Sequence, residues 1–212
     1  MRWPPAILLG AGGHARVVRA LAEALGMQIT GVCDPLLAAQ EDWMGLRVLG
    51  ADANLFEIAP SSVVLLNGIG KMPGSTVRAR LQAEWALQGF AFPPLVHPSA
   101  WVAPDVDLGP GVQVMAGAVV QPGCTVGSGG IINTRAGVDH DGHLAEDVHL
   151  APGATLCGDV KVGAGAFIGA GAVVIQGCAI GAAAVVAAGA LVRSNVCAGL
   201  VYRRDQSKGP SA

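Results

Sequence analysis

Beginning at Val96, every sixth residue is Val, Leu or Ile, and the series runs without a slip through Leu108, Val120, Ile132, Leu144, Leu156, Ile168 and Ile180 to Val192. Four residues after each stands Ala, Val, Cys or Gly, and three residues after each stands mostly Gly, Asp or Asn. The latter tolerate a positive φ. Pro often precedes that Gly, as in Pro110-Gly111, Pro122-Gly123 and Pro152-Gly153. Short strands alternating with tight corners at a fixed period of six mark a β-helix solenoid. Composition agrees: 52% of the chain is apolar but only 4% is aromatic, and there are 31 glycines, which suits small repetitive packing.

The repeat resembles that of the left-handed hexapeptide-repeat proteins. The resemblance implies the hand and three hexads per coil, so 18 residues make one turn and coils stack about 4.8 Å apart. The last residue of each hexad points outward, because its neighbours point in. These positions fall on three faces. Trp101, Val119, Gly137, Thr155, Val173 and Leu191 form one mostly apolar column; Gln113, Ile131, His149, Phe167 and Val185 form a second; Asp107, Thr125, His143, Lys161 and Ala179 form a polar third. Two apolar faces predict subunit contacts, and the resemblance implies a homotrimer with active sites between subunits.

Three of the five histidines lie within "HDGHLAEDVH". His140 falls on a corner, with Pro122 one coil before it and Gly158 one coil after. A corner gains nothing from an imidazole, so His140 is a candidate for chemistry. His143, on the polar face, reads as a surface histidine. His149, in an apolar column, reads equally as a packed interface residue or a functional one. Asp141 shares its hexad position with Asp105, Asp147 and Asp159, which a turn explains; its place beside His140 adds an orienting role.

Residues 1–90 have another organisation. "AILLG", "QITGVCD" and "SSVVLLN" read as strands; "HARVVRALAEALG" and "STVRARLQAEWALQG" read as helices closed by Gly26 and Gly89. This β-α-β order predicts a small Rossmann-like parallel sheet, followed by a β-helix over 91–200 and a tail over 201–212. Gly10, Gly12 and Gly13 follow a strand and open a helix, where backbone N–H groups can meet a phosphate. His14 and Arg16 stand beside them. Asp34 ends the second strand, and "NGIGK" (Asn67 to Lys71, including Gly68) follows the third as a second wall or an ordinary Gly-rich turn.

"GAGGHARVV" followed by "INTRAGVDHD" inside a hexapeptide domain resembles the nucleotide-amino-sugar N-acetyltransferases of the bacillosamine and perosamine type, with sialic acid O-acetyltransferases as relatives. By that resemblance His140 is the general base, Asp141 its acidic neighbour, and the Gly158 N–H a donor to the tetrahedral oxyanion. Asn133 and His149 lie near the acceptor. Gly10, Gly12, Gly13, His14, Asp34 and Gly68 hold a UDP- or GDP-linked amino sugar. Acetyl-CoA, the co-substrate, lies against coils around Gly158, Gly169 and Ala170. "CDPLLAAQ" after the second strand departs from the family's more acidic stretch, which leaves uridine and guanosine both open. The tail "AGLVYRRDQSKGPSA" replaces a "GVPAK"-like ending, and Arg193, Arg203 and Arg204 are candidates to meet CoA phosphates.

Other classes fit less well. A net charge of −2 offers no basic patch for nucleic acid. No uninterrupted apolar run suggests a membrane span. Five cysteines without a CxxC pair, and no signal peptide, suggest reduced thiols in the cytoplasm. A nicotinamide reductase would want glycine where Ala15 stands, and no hydride-transfer dyad is visible. A zinc-dependent β-helix would need three converging histidines, yet His140, His143 and His149 occupy a corner and two different faces, so no metal is expected. A non-catalytic scaffold leaves His140 and the Gly-rich turn unexplained. Sugar O-acetylation is the nearest alternative.

Overall fold

The structure, a computed structural model, describes residues 3–203. Its N-terminal unit is a five-stranded sheet containing β1 (Ala6–Leu9), β2 (Ile29–Cys33), β3 (Asp42–Trp43), β4 (Leu46–Gly50) and β5 (Val64–Asn67), in the order β3-β4-β2-β1-β5. Only β3 is antiparallel, so the sheet is mixed where the sequence predicts three parallel strands. The unpredicted hairpin turns at Met44 and Gly45, both at positive φ (54° and 80°). Its first strand, two residues long, is too short to display alternation, and its turn lacks the Asn-Gly or Asp-Gly signal.

α1 (Gly13–Ala24) buries Ala15, Val18, Leu21 and Ala22 along one stripe. It ends where Gly26 takes φ 68°, a conformation that favours glycine. Side chains of β1 alternate between two cores: Ala6 and Leu8 join the α1 side, Ile7 and Leu9 the side holding Trp85 of α2 (Val77–Leu87).

From Leu95–Val96 to Val201–Tyr202, two-residue strands build three parallel sheets of six, five and seven strands. Ladder partners are one 18-residue coil apart: Val119 pairs with Trp101 and Gly137, His143 with Thr125 and Lys161, His149 with Ile131 and Phe167. The three predicted columns are therefore the three faces of a parallel β-helix. Its last strand reaches two residues into the segment read as a tail. The inward Val, Leu and Ile positions and the small residues four places later form one continuous core, each large aliphatic contributing about 1.5–3 kcal/mol on burial. Corners take the left-handed conformation: Gly123 at φ 74°, and Asp141, Asp147 and Asp159 at 52–59°.

The two apolar faces expected to meet other subunits have different fates. The chain's own N-terminal unit covers the His149 face: Ile131 packs into the core of Leu8 and Val18, and Gln113 is buried with it. A solenoid's period cannot tell which face the preceding domain folds onto. The Trp101 face stays open, with Trp101 50% and Leu191 40% exposed.

A polar joint fixes the two units. The Arg78 guanidinium donates to the carbonyls of Asn67 (2.9 Å) and Ile69 (2.8 Å) and to Gly129 O (3.2 Å) across the joint. Gln82 Nε2 donates to Pro110 O (2.9 Å), and the Lys71 ammonium pairs with Asp147.

Candidate active site

His140 projects from its corner into solvent. Its backbone N–H donates to Asp139 Oδ1 (2.8 Å), and its Nδ1 lies 2.8 Å from Asp141 Oδ2. A carboxylate partner assigns the proton to Nδ1 and leaves the Nε2 lone pair free. Asp141 thus makes the turn and orients the ring at once. The hydrogen bond that Nδ1–H donates to Asp141 raises the His140 pKa above the ordinary imidazole value; desolvation opposes this, and the charges of Asp139, Asp141 and Asp159 reinforce it.

Nε2 lies over Gly158. A Cβ built on Gly158 would fall 2.5 Å from Nε2 and 2.6 Å from Cε1. The Gly158 carbonyl accepts from Gly177 N–H (2.9 Å), while its own N–H meets no acceptor among the described residues. A free N–H donor beside an oriented imidazole is an arrangement that can serve acyl transfer. Gly158 has no positive φ, so alanine meets the ring and not a backbone penalty. Gly158→Ala keeps the N–H but its methyl would displace the His140 ring, so it is expected to fold normally yet lose about 10²-fold in kcat/KM, read as thiol release from acetyl-CoA; an unimpaired variant would remove Gly158 from the site.

His149 is buried on its face. Its Nδ1 donates to Lys71 O (3.2 Å), its Nε2 accepts from Asn133 Nδ2 (3.2 Å), and its ring meets the Phe167 ring at 4.9 Å. The second of these bonds requires the neutral imidazole, and burial lowers its pKa to about 4. His14 is similar: Nε2 lies 2.8 Å from Gln113 Oε1, Gln113 Nε2 donates to Asn67 O (2.8 Å), and burial lowers the His14 pKa to about 4. His14 therefore belongs to the domain joint. Folded pKa values below the unfolded 6.5 stabilise the fold above that pH. That stability is lost as pH falls toward 4, on the order of 2–3 kcal/mol per histidine. Urea midpoints measured between pH 7.5 and 4 should decline, and less steeply in His149→Gln.

The Gly-rich turn divides its labour. Gly10 needs glycine, since it has φ 89° and a Cβ would meet Ile69 Cδ1 at 2.6 Å. Gly12 and Gly13 face open space, and the α1 N-terminus carries no capping side chain and no acidic residue. Asp34 accepts from Ala11 N–H (2.8 Å) and Leu36 N–H (2.9 Å), which fixes the turn. Gly68 is buried, where a Cβ would strike Leu9 O (2.7 Å) and Ala15 Cβ (2.8 Å). Gly169 and Ala170 share the corner column of Asn133 and Thr134, whereas Gly158 shares that of His140. These two corners are the opposite edges of the Trp101 face, with the strands of that face between them. One chain therefore does not gather His140 with Asn133 and His149. Arg193 and Arg203 lie near the last coils, and Arg204 lies outside the described residues.

Arg78, Gln82 and Gln113 escape sequence reasoning as joint residues, and Lys71 is read there only as part of the NGIGK wall. Their signals are faint: Gln113 is a polar residue in an apolar column, and Arg78, Gln82 and Trp85 share one buried stripe of α2. Among the described residues no His, Cys, Asp and Glu cluster suits a metal ion, and no helix is long and apolar enough to cross a membrane. The five cysteines are free thiols.

Comparison with known proteins gives a consistent answer. The PglD N-terminal domain family matches residues 6–83, and the bacterial transferase hexapeptide family matches residues 141–176. No curated protein sequence gave a match. Among solved structures, the acetyltransferase domain of PglB from Neisseria gonorrhoeae, in complex with acetyl coenzyme A, is 34% identical with a TM-score of 0.86, over 93% of this chain and 94% of that one. A histidine-to-asparagine mutant of perosamine N-acetyltransferase from Caulobacter crescentus, in complex with CoA and GDP-perosamine, is 35% identical with a TM-score of 0.88, over 96% and 95%. WeeI from Acinetobacter baumannii is 25% identical with a TM-score of 0.81, over 92% and 93%. With identity above 30% across nearly the full length of two such enzymes, and a left-handed hexapeptide β-helix behind a matching N-terminal domain, this chain belongs to the sugar N-acetyltransferase family of acyltransferases.

Proposed function

We propose that this protein transfers the acetyl group of acetyl-CoA to the 4-amino group of a nucleotide-linked amino-deoxy sugar, with His140 as general base. The His140 corner carries the reading: an exposed imidazole oriented by Asp141, its free Nε2 set over a glycine with an unpaired N–H. Nε2 takes a proton as the sugar nitrogen attacks the thioester carbonyl. The Gly158 N–H stabilises the oxyanion. The C–S bond then breaks, and the imidazolium returns its proton to the CoA sulfur. Asp105, Asp139, Asp141 and Asp159 share this corner region, and their charge draws in an amino sugar, which is an ammonium in solution and sheds that proton to water before its nitrogen attacks; a neutral hydroxyl gains nothing from it, which favours N- over O-acetylation.

The acceptor binds at the N-terminal unit. Its diphosphate meets the open N–H groups of Gly12 and Gly13, and its sugar lies toward Asn133 and His149. Those residues and His140 occupy opposite edges of the exposed Trp101 face. Three chains turning that face toward a common axis would set the His140 corner of one beside the Asn133 corner of the next. Each cleft would then combine Gly158 of one chain with Gly169 and Ala170 of its neighbour, and the CoA pantetheine fits there. A homotrimer thus completes a site that one chain leaves divided.

The test is thiol release from acetyl-CoA with UDP- and GDP-linked 4-amino-6-deoxy sugars, with sialic acid alongside. Turnover with an amino sugar is expected. Turnover with sialic acid alone would replace N- by O-acetylation.

A further inference from the structure

The nucleotide-sugar reading leaves the base open, and the N-terminal unit carries a cleft suited to deciding it. The cleft, about 260 Å³, lies beside the Gly-rich turn, on the side away from the β-helix contacts of His14. Gly10 and Asp34 form its edge, Pro35 and Val77 are apolar walls, and Asp52, Arg80 and Glu84 supply charge. A nucleotide sugar is a linear molecule with its diphosphate in the middle. If the diphosphate sits on the turn and the sugar points toward Asn133 and His149, the nucleoside must turn the other way, into this cleft.

The polar groups there are not equally available. Both Asp34 oxygens accept backbone N–H groups, and Asp52 Oδ2 receives the Trp85 Nε1–H at 3.4 Å. The side chains of Arg80 and Glu84, four residues apart on one side of α2, make no hydrogen bond or ion pair with any described residue. They offer a fork of donors beside a two-oxygen acceptor. Guanine presents a carbonyl acceptor followed by two N–H donors along its pairing edge, which matches an arginine followed by a carboxylate. Uracil presents acceptor, donor, acceptor, so a carboxylate that takes its single N–H faces a carbonyl with its other oxygen.

We infer that this protein selects guanosine-diphosphate-linked sugars, with Arg80 and Glu84 reading the base. The inference rests on the nucleotide-sugar reading, and its test separates the two. Calorimetric titration of the full chain with GDP and with UDP is expected to show GDP binding roughly ten- to a hundredfold more tightly, the range for a bidentate base contact. In Glu84→Gln the carboxamide pairs well with uracil and poorly with guanine, so GDP binding should weaken about tenfold while UDP binding holds or strengthens. Glu84 is exposed on a helix, so the substitution leaves folding intact. UDP binding as tightly as GDP, or equal losses for both nucleotides in Glu84→Gln, would overturn the base assignment and leave the nucleotide site standing. No binding of either nucleotide would overturn the nucleotide site, and the base assignment with it.

Discussion

Replacing His140 by Ala is expected to leave a folded protein whose turnover falls by about 10²–10⁴, the range for losing a general base. The imidazole is exposed and supports nothing in the core, so unfolding midpoints should not move. The pH profile adds a sharper readout. A base works only when unprotonated, and the hydrogen bond to Asp141 raises the His140 pKa. The acid limb of kcat/KM should therefore stand above the ordinary imidazole range. In Asp141→Asn that support is lost: the limb should move to lower pH, while the plateau falls because the ring is less firmly oriented. An unmoved limb in Asp141→Asn would separate the two residues. Full turnover in His140→Ala would end the assignment of the base.

The β-helix is legible in the sequence because its physics is local and periodic. An inward aliphatic every six residues and a left-handed corner three residues later leave their mark in every coil, and the 18-residue register follows. His140 is legible for the complementary reason: it breaks a pattern that gives an imidazole no structural use. Gly158 can be placed from coil arithmetic alone, because a solenoid turns sequence separation into spatial adjacency. The domain joint has no such rule. Arg78 and Gln82 lie on a buried stripe of α2 that is polar, so a search for hydrophobic periodicity passes over it. Lys71 and Asp147 are 76 residues apart, and Asp147 already has a local reason to exist at its corner, which conceals its second partner. The hairpin of β3 and β4 fails for a third reason, since a strand of two residues carries no period.

That concealed pair supplies the second large effect. Lys71 and Asp147 are both nearly excluded from water, with side chains 4% and 11% exposed. Lys71 also reaches Ser75 O at 3.3 Å, while Asp147 Oδ1 has no hydrogen-bond partner among the described residues. Lys71→Met removes the only cation paired with this carboxylate among the described residues, and leaves the charge buried. The expected loss is about 3–5 kcal/mol of stability, measured as a shift in the urea midpoint. Adding Asp147→Gly to the same chain removes the stranded charge. Glycine is also the commonest residue at this corner position and accepts the φ of 52° that Asp147 adopts. The double variant should therefore recover most of the loss, making the two substitutions strongly non-additive. If it is no more stable than Lys71→Met alone, the cost lies in lost packing and not in the uncompensated carboxylate. The pair also bears on the chemistry, because the Lys71 carbonyl accepts the Nδ1–H of His149. A loosened Lys71 segment should raise KM for the nucleotide sugar more than KM for acetyl-CoA. Equal changes in both would mean that the joint holds the fold together without shaping the acceptor side of the site.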